Sequence, residues 1–386
     1  MRSRVSFSKL CLLMSLILIS MLTFAGCSQS ATSTSIPDEA TEVIMEATEV
    51  EVPSDTPMPP TDTLGPLTTA SPAPMKTADP SVTPAQTSLQ GQWTSFTTEN
   101  GLADNDVCTV TLAPEGTVWV GYCYPNGSGI SKFDGESWST YTTEDGLAHN
   151  DVGWDGLIVS PEGTLWIGTW GGGISRFDGE TWTTYTSEDG LADDYLWSAS
   201  IATDGSVWMG SRSSGATRFD GENWTTITAE DGLPNNHVVV STASDGTLWF
   251  GTREGLVHLD GENWTIYTIE DGLVSNEVFS LATVPDGSVW VGSRSGTTHF
   301  DGQNWTIYNK DNGLAGNIVN DIAVAPDGAV YFGTDKGISR FDGENWTTYT
   351  TQDGLIGPMV RSIAVAPNGT LWFATSRGVS RFVPLD

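Results

Sequence analysis

The chain has 386 residues, with 48 acidic and 16 basic side chains and a formal net charge of −32 at pH 7. Proteins bind nucleic acid mainly through Lys and Arg contacts to phosphate, so this balance argues strongly against a nucleic-acid partner. The chain beyond residue 90 is also longer than one ordinary globular core, which requires several domains or a repeat architecture.

The first 27 residues have the features of a bacterial export signal. Three basic residues precede an apolar run over residues 10–22, which is shorter than the about 20 residues that a membrane-spanning helix needs. The sequence Phe24-Ala25-Gly26-Cys27 follows and resembles a lipobox with Phe24 in place of the usual aliphatic residue. We predict that Cys27 is lipidated, which would place the protein at the cell surface or in the periplasm, anchored to the membrane only by its lipid. An ordinary secretory signal cut nearby is the alternative.

Residues 28–90 consist mainly of Ser, Thr, Pro, Ala and acidic residues. They have no periodic apolar face and almost no aromatic side chains, so they cannot bury enough surface to offset the entropy of ordering. We predict a disordered linker that holds the folded part away from the membrane.

The remaining chain repeats around the dipeptide Gly-Leu, which occurs seven times at spacings of 40 to 45 residues, beginning at Gly101, Gly146, Gly190, Gly232, Gly272, Gly313 and Gly354. Each unit contains four short segments rich in β-branched and aromatic residues, for example 319–324, 329–333, 337–341 and 346–350, and turn residues separate these segments. Four strands at this period predict an all-β, seven-bladed β-propeller over residues 91–386.

The two ends of this region complement each other. The sequence after Gly91 matches the fourth strand of a unit, and residues 378–382 match a third strand. We therefore predict that the N-terminal strand completes the last blade and closes the ring, which would remove two open sheet edges. A closed ring of this kind is expected to be a monomer.

The best-formed unit contains Gly313-Leu314, Pro326-Asp327-Gly328, Phe332-Gly333-Thr334 and Gly337-Ile338-Ser339-Arg340-Phe341. These motifs resemble the two-component regulator propeller repeat, and the resemblance covers essentially all of residues 91–386. It implies an extracytoplasmic sensor propeller of the kind found in bacterial hybrid two-component systems, several of which are implicated in glycan sensing. No transmembrane segment, kinase or DNA-binding region follows residue 386, so we expect a stand-alone binding lipoprotein.

Cys108 and Cys123 flank the turn Pro114-Glu115-Gly116 of the first unit. A two-residue turn would place the two cysteines directly opposite each other, whereas a three-residue turn places Cys108 opposite Tyr122 and turns Cys123 to the other face. We expect no disulfide.

A single ligand would break the sevenfold symmetry, so candidate binding residues are those that depart from the repeat. Four aromatic residues of units two and three form one group: Trp154, Trp170, Tyr195 and Trp197. Five cations at equivalent loop positions of units three to seven form the other: Arg212, Arg253, Arg294, Lys336 and Arg377. We predict that the two groups occupy opposite sides of one face and bind an anionic, sugar-like ligand. Alternatively, the cations neutralise the acidic residues before the Gly-Leu loops.

The sequence has no nucleophile elbow, zinc-protease helix or phosphate loop, and we expect no metal site and no cofactor. These observations favour a binding or sensory module for an extracellular ligand, plausibly an acidic oligosaccharide or cell-wall fragment. A protein-interaction scaffold is the second interpretation, and a propeller-type lyase is the third.

Overall fold

The computed structural model describes residues 68–69, 75–77, 90–125 and 127–385. The predicted signal segment, Cys27 and most of the predicted linker lie outside the described residues. From residue 91 onward the regular structure consists of 28 strands and two short 3-10 turns, Thr98–Asn100 and Ser187–Asp189. The predicted all-β fold is confirmed.

The 28 strands form seven sets of four antiparallel strands, which we name blades 1 to 7 in chain order. The inner strands are Val107–Leu112, Val152–Val159, Leu196–Ile201, Val239–Thr242, Ser280–Thr283, Val319–Val324 and Val360–Val365. The second strands are Val118–Tyr122, Leu165–Thr169, Val207–Ser211, Leu248–Gly251, Val289–Gly292, Val330–Thr334 and Leu371–Thr375. The third strands are Ile130–Phe133, Ile174–Phe177, Ala216–Phe219, Leu256–Asp260, Thr297–Phe300, Gly337–Phe341 and Gly378–Pro384. The outer strands are Trp138–Tyr141, Trp182–Tyr185, Trp224–Ile227, Asn263–Tyr267, Trp305–Tyr308 and Trp346–Tyr349, with Gly91–Phe96 in blade 7.

Blade 7 combines the two ends of the described region. Gly91–Phe96 pairs antiparallel with Gly378–Pro384, from Gly91 opposite Pro384 to Phe96 opposite Val379. The Trp93 ring packs on Phe382, with 4.7 Å between ring centroids. The N-terminal strand is therefore the fourth strand of the sheet that holds the last three strands of the chain.

Apolar clusters join each blade to the next. One tryptophan position of the second strand is buried between neighbouring blades: Trp119 packs with Leu157 and Leu165 of blade 2, and Trp372 of blade 7 packs with Val110 of blade 1. Seven such clusters connect consecutive blades, including blade 7 to blade 1. The repeated tryptophans therefore pack between adjacent blades.

Side-chain oxygens at one position of the inner strands also link adjacent blades. Ser198 Oγ accepts a hydrogen bond from the Val240 amide of blade 4, at 3.1 Å, and Ser362 Oγ has the same role towards blade 1. In blade 6 the position holds Asp321, whose Oδ2 accepts from the Ile363 amide of blade 7 at 2.6 Å. Burial raises the pKa of Asp321 to about 6, because a charged carboxylate loses hydration there.

Two short strands lie within the range predicted to be a disordered linker. Thr68–Thr69 pairs in parallel with the outer strand of blade 4, and Met75–Thr77 pairs in parallel with the outer strand of blade 5. An outer strand leaves one row of backbone groups unpaired, and an added strand satisfies part of that row.

Cys108 and Cys123 form a disulfide with 5.8 Å between their Cα atoms, so the expectation of no disulfide was wrong. The hairpin does have the three-residue turn register, with Leu112 opposite Val118. A β-bulge then shifts the register after Thr109, so that Val107 and not Cys108 lies opposite Tyr122. The extra residue in the bulged strand is Cys108 itself, and its displacement brings it within bonding distance of Cys123.

Candidate functional site

The Gly-Leu loops and the loops between second and third strands emerge at the same end of the blades, which we call the upper face. A pocket of about 220 Å³ lies on this face near the axis of the ring. Its lining comes from four consecutive blades: Cys123 and Tyr124 from blade 1, Val152, Trp154 and Trp170 from blade 2, Trp197 and Arg212 from blade 3, and Arg253 from blade 4.

An insertion in blade 2 contributes Trp154 to the lining of the pocket. The inner strand of this blade has eight residues, compared with six in blade 1. Its pairing with the second strand passes from Val152 directly to Leu157, so residues 153–156 leave the ladder as an enlarged bulge. A Cβ at Gly153 would lie 2.4 Å from the Leu196 carbonyl oxygen, so only glycine allows this close approach.

The bulge directs Trp154 towards the axis. Its ring lies 5.7 Å from the Trp197 ring of blade 3. The guanidinium of Arg361, from the inner strand of blade 7, lies 5.4 Å from the same ring. Arg361 is held there by Asp106 of blade 1, with 2.6 Å between Nη1 and Oδ1. Trp154 therefore lines the upper-face pocket and contacts both blade 3 and blade 7.

Aromatic rings form one wall of this pocket. The Trp170 and Trp197 rings lie 5.7 Å apart, and Tyr195 meets Trp170 edge to face at 5.8 Å. The sequence prediction of aromatic and cationic groups on opposite sides fails for Arg212, whose guanidinium lies 5.1 Å from the Trp170 ring. Arg212 thus belongs to the aromatic wall, where a cation–π contact positions it.

Only part of the predicted row of cations reaches the pocket. Arg212 and Arg253 line it, whereas the other three do not. Of those, Arg294 lies over the Phe279 ring, and Lys336 pairs with Asp335 at 3.4 Å. The five cations occupy equivalent loop positions in blades 3 to 7, whereas blades 1 to 4 line the pocket. The cations of blades 5 to 7 therefore lie outside it.

The two pocket arginines have no carboxylate within 4.0 Å among the described residues. The acids of the neighbouring Gly-Leu loops are used differently: Asp231 Oδ2 accepts from the Thr228 amide at 2.8 Å, and Asp271 has the same contact with Thr268. Neutralisation of these loop acids therefore does not account for Arg212 and Arg253.

His237 lies behind the aromatic wall, with its ring centroid 5.3 Å from that of Trp197. It is 3% exposed, and neither ring nitrogen has a hydrogen-bond partner among the described residues. Burial, assisted by the nearby positive charge of Arg253, lowers the pKa of His237 to about 4. The imidazole is therefore neutral near pH 7, and the free positive charge of the pocket belongs to Arg212 and Arg253.

Sequence reasoning missed several residues of this site. Tyr124 lines the pocket but was not among the predicted site residues, and the disulfide at Cys123 fixes the start of its loop. Arg361 occupies an inner-strand position that holds Phe279 in blade 5 and Asn320 in blade 6. A comparison of the units at that inner-strand position would have singled out Arg361.

The opposite, lower face has a larger cavity of about 880 Å³. Its lining consists mostly of small or apolar residues at the ends of inner strands, such as Ala113, Val159, Thr242, Val284 and Val365. Six blades contribute equivalent positions, so this cavity is the lower mouth of the tunnel, and its lining has neither the aromatic rings nor the arginines that converge at the upper pocket.

No protein-family model matches the chain, and no curated protein matches it in sequence. Solved structures do share its fold. The extracellular domain of BT3049 from B. thetaiotaomicron, assigned to a hybrid two-component system, has a TM-score of 0.65 at 19% identity, covering 76% of this chain and 41% of that one. This chain thus spans about two fifths of that domain. Virginiamycin B lyase from Staphylococcus aureus has a TM-score of 0.61 at 15% identity, covering 77% and 100%. PorZ, a surface component of the type-IX secretion system of Porphyromonas gingivalis, has a TM-score of 0.57 at 17% identity, covering 73% and 47%.

The similarity to these solved structures shows the fold of this chain. Its function is therefore argued from the residues of the pocket. Among the described residues, no helix is long and apolar enough to cross a membrane. In the same part of the chain, no three His, Cys, Asp or Glu side chains group in a way that could hold a metal ion. The upper pocket offers aromatic stacking surface and two guanidinium groups that have no carboxylate partner among the described residues, which suit the binding of a polar, negatively charged ligand.

Proposed function

We propose that this chain is an extracytoplasmic binding or sensory propeller whose upper-face pocket holds an acidic oligosaccharide or cell-wall fragment. The observation that carries the proposal is the convergence of Trp154, Trp170 and Trp197 with Arg212 and Arg253, neither of which pairs with a carboxylate of the described chain.

Each group has a physical role in such binding. A sugar ring presents a face of C–H groups, which packs on the flat indole rings of the pocket and excludes water. Arg253 presents a planar guanidinium that can bind a carboxylate or sulfate through two parallel hydrogen bonds. The protein as a whole is strongly acidic. A negatively charged ligand is therefore attracted to the locally positive pocket and repelled by the rest of the surface.

The structural neighbours support the extracytoplasmic part of the proposal, since BT3049 and BT4673 are represented by their extracellular domains. The export signal predicted for residues 1–27 agrees with that location, and lipidation at Cys27 would hold the propeller at the membrane surface. The ligand-binding role of the pocket is argued from its residues alone.

A glycan array tests this function directly. The purified protein is applied to arrays of neutral, uronic-acid-containing and sulfated oligosaccharides and of peptidoglycan fragments. We expect binding confined to acidic glycans and weakened by added salt. Equal binding to neutral glycans would contradict the role of the arginines. Failure to bind any glycan would overturn the proposal in favour of a protein partner.

A further inference from the structure

We infer that Tyr124 contacts the ligand of the upper-face pocket and that the Cys108–Cys123 disulfide positions Tyr124 for this contact. This role rests on the proposed function, since it concerns the same pocket. The disulfide would then act in binding as well as in stability.

Tyr124 belongs to the lining of the pocket and also exposes most of its ring to solvent. It lines the pocket together with Trp170 and Trp197. Those two indole rings are half-buried and pack on each other, whereas Tyr124 is 68% exposed. Because an exposed ring can bury apolar surface when a sugar ring packs on it, Tyr124 is the lining aromatic residue that can gain most from a ligand contact.

The loop that carries Tyr124 is longer than the equivalent loops of the other three blades that line the pocket. It spans residues 123–129 between the second and third strands, whereas the loops of blades 2, 3 and 4 span residues 170–173, 212–215 and 252–255. A longer loop has more backbone to order. By length alone, Tyr124 therefore lies in the least restrained of the four loops.

Hydrogen bonds fix the far end of this loop. The Tyr122 amide donates to the Gly129 carbonyl at 3.2 Å, and the Gly129 amide donates to the Asn150 carbonyl of blade 2 at 2.9 Å. Cys123 and Tyr124, in contrast, have no backbone hydrogen bond with any other residue that the structure describes. The near end of the loop, which carries Tyr124, is therefore held by a different contact.

In blades 2 and 3 a backbone hydrogen bond holds the first residue after the second strand. The Trp170 amide donates to the Asp151 carbonyl at 2.9 Å, and the Arg212 amide donates to the Tyr195 carbonyl at 3.2 Å. In both blades the acceptor directly precedes the inner strand. Each bond therefore ties the pocket loop to the inner strand of its own blade.

In blade 1 the disulfide makes the corresponding connection. Cys123 is the first residue after the second strand, and its partner Cys108 is the bulged residue of the inner strand. The equivalent residues of blade 5 also lie side by side, since the Arg294 guanidinium is 4.8 Å from the Phe279 ring. The covalent bond therefore fixes the backbone next to Tyr124 at a place where other blades use non-covalent contacts.

This connection favours binding through preorganisation. An exposed loop loses conformational freedom when a ligand packs on it, and the entropic cost lowers the affinity. The disulfide restricts Cys123 before the ligand arrives, so less of that cost is left for the Tyr124 contact. Loss of the disulfide should therefore weaken binding through Tyr124 and not through Arg212 or Arg253, which belong to the loops of blades 3 and 4.

A double-mutant cycle tests this coupling. Wild type, Tyr124→Ala, the double variant Cys108→Ser/Cys123→Ser and the variant with all three changes are titrated calorimetrically with four-unit oligomers of galacturonate, mannuronate and hyaluronan. Tyr124→Ala and the double serine variant should each weaken binding by about threefold to tenfold. The three changes together should weaken binding no more than Tyr124→Ala alone, because the disulfide acts through that ring. Tyr124→Phe keeps the ring and should bind as wild type does.

Ile338→Ala is the matched control for a loss of stability. Ile338 is fully buried in blade 6, which supplies none of the described lining residues. This variant should lower the melting temperature, as the serine variant does, and bind as wild type does.

The possible outcomes separate the positioning role from the binding function. Losses that multiply in the variant with all three changes, or an equal loss of affinity in Ile338→Ala, would overturn the positioning role. Unchanged binding by Tyr124→Ala would overturn the ligand contact. In these cases wild-type binding leaves the proposed function standing. Failure of wild type to bind any of the three oligomers would overturn both.

Discussion

The buried carboxyl of Asp321 makes a testable contribution to the pH dependence of stability. Its pKa lies at about 6 in the folded protein, compared with about 3.9 for an exposed Asp. The folded state therefore binds the proton more tightly than the unfolded state. The contribution of this group is complete below about pH 4 and is lost as the pH rises through about 6.

The size of the effect follows from the shift in pKa. A difference of about two pKa units corresponds to about 3 kcal/mol. Asp321 keeps hydrogen bonds from the Ile322 and Ile363 amides, and water reaches part of the side chain. We therefore expect its pH-dependent contribution to the free energy of unfolding to be about 1–3 kcal/mol, which corresponds to one to two pKa units. Asp321→Asn keeps an oxygen acceptor for these amides but does not titrate. Relative to wild type, it should gain this amount of stability between pH 4.5 and 7.5.

The quantity to compare is the difference in the free energy of unfolding between wild type and Asp321→Asn at each pH. Burial lowers the pKa values of His237, His258 and His299, and these residues act in the opposite direction, because their contribution is lost as the pH falls below about 6.5. These histidines are identical in both proteins and cancel in the comparison. The pKa of Asp155 does not cancel, because burial and the charge of Asp321 raise it, and the loss of that charge in Asp321→Asn lowers it again, which adds to the expected gain in stability. Asp321→Ser provides a second non-titrating control, since Ser198 and Ser362 occupy the equivalent position in blades 3 and 7.

Urea unfolding followed by tryptophan fluorescence at pH 4.5, 6.0 and 7.5 measures the effect, provided that the denaturant slopes of the three proteins agree. Parallel stability profiles for wild type and Asp321→Asn would refute the reasoning, because they would mean that Asp321 titrates alike in the folded and unfolded states.

Three further predictions concern the covalent and topological features of the chain. Replacing both Cys108 and Cys123 by Ser should destabilise the fold by up to about 3 kcal/mol, as expected for a closed loop of about 15 residues, and an unchanged melting temperature would contradict a disulfide in the exported protein. Removal of residues 1–101 should lower the melting temperature well below that of a variant lacking only residues 1–90, because it removes Trp93 and the outer strand of blade 7; equal melting temperatures would contradict ring closure by that strand. Cys27→Ser should move the protein from the membrane fraction to the soluble or unprocessed fraction, and identical fractionation would refute lipidation.

The fold could be predicted because the same pattern of turn residues and strand segments occurs in all seven units. Turn residues and alternating apolar positions define each strand, and averaging over seven units removes the ambiguity that a single short strand would have. The complementary sequences of the two ends predict that Gly91–Phe96 pairs with the last third strand, and the observed pairing has that arrangement.

Departures from the regular ladder were harder to predict. The turn around Glu115 has the predicted three-residue register, but one bulged residue reversed the conclusion about Cys108 and Cys123. A bulge depends on local backbone geometry and on packing against the neighbouring blade, and neither has a strong signal in a single unit.

The candidate site could be predicted only in part for a related reason. Trp154, Trp170 and Trp197 were identified as departures from the repeat, and they do converge. Arg361 was missed because its contact with Trp154 joins blades 7 and 2, which are not adjacent. Contacts between non-adjacent blades depend on how the blades are arranged in space, and no sequence pattern within one repeat shows this.

The most direct test of the central claim compares two arginines at equivalent loop positions, Arg253 inside the pocket and Arg377 outside it. Wild type, Arg253→Ala and Arg377→Ala are titrated calorimetrically with an acidic oligosaccharide that binds wild type, at low and high salt. Because Arg253 is exposed in the free protein and becomes partly desolvated on binding, its loss should cost about 1–2 kcal/mol, which is roughly fivefold to thirtyfold in affinity, and less at high salt. Arg377→Ala should bind as wild type does. Equal losses in the two variants, or none in Arg253→Ala, would contradict the assignment of the site to this pocket.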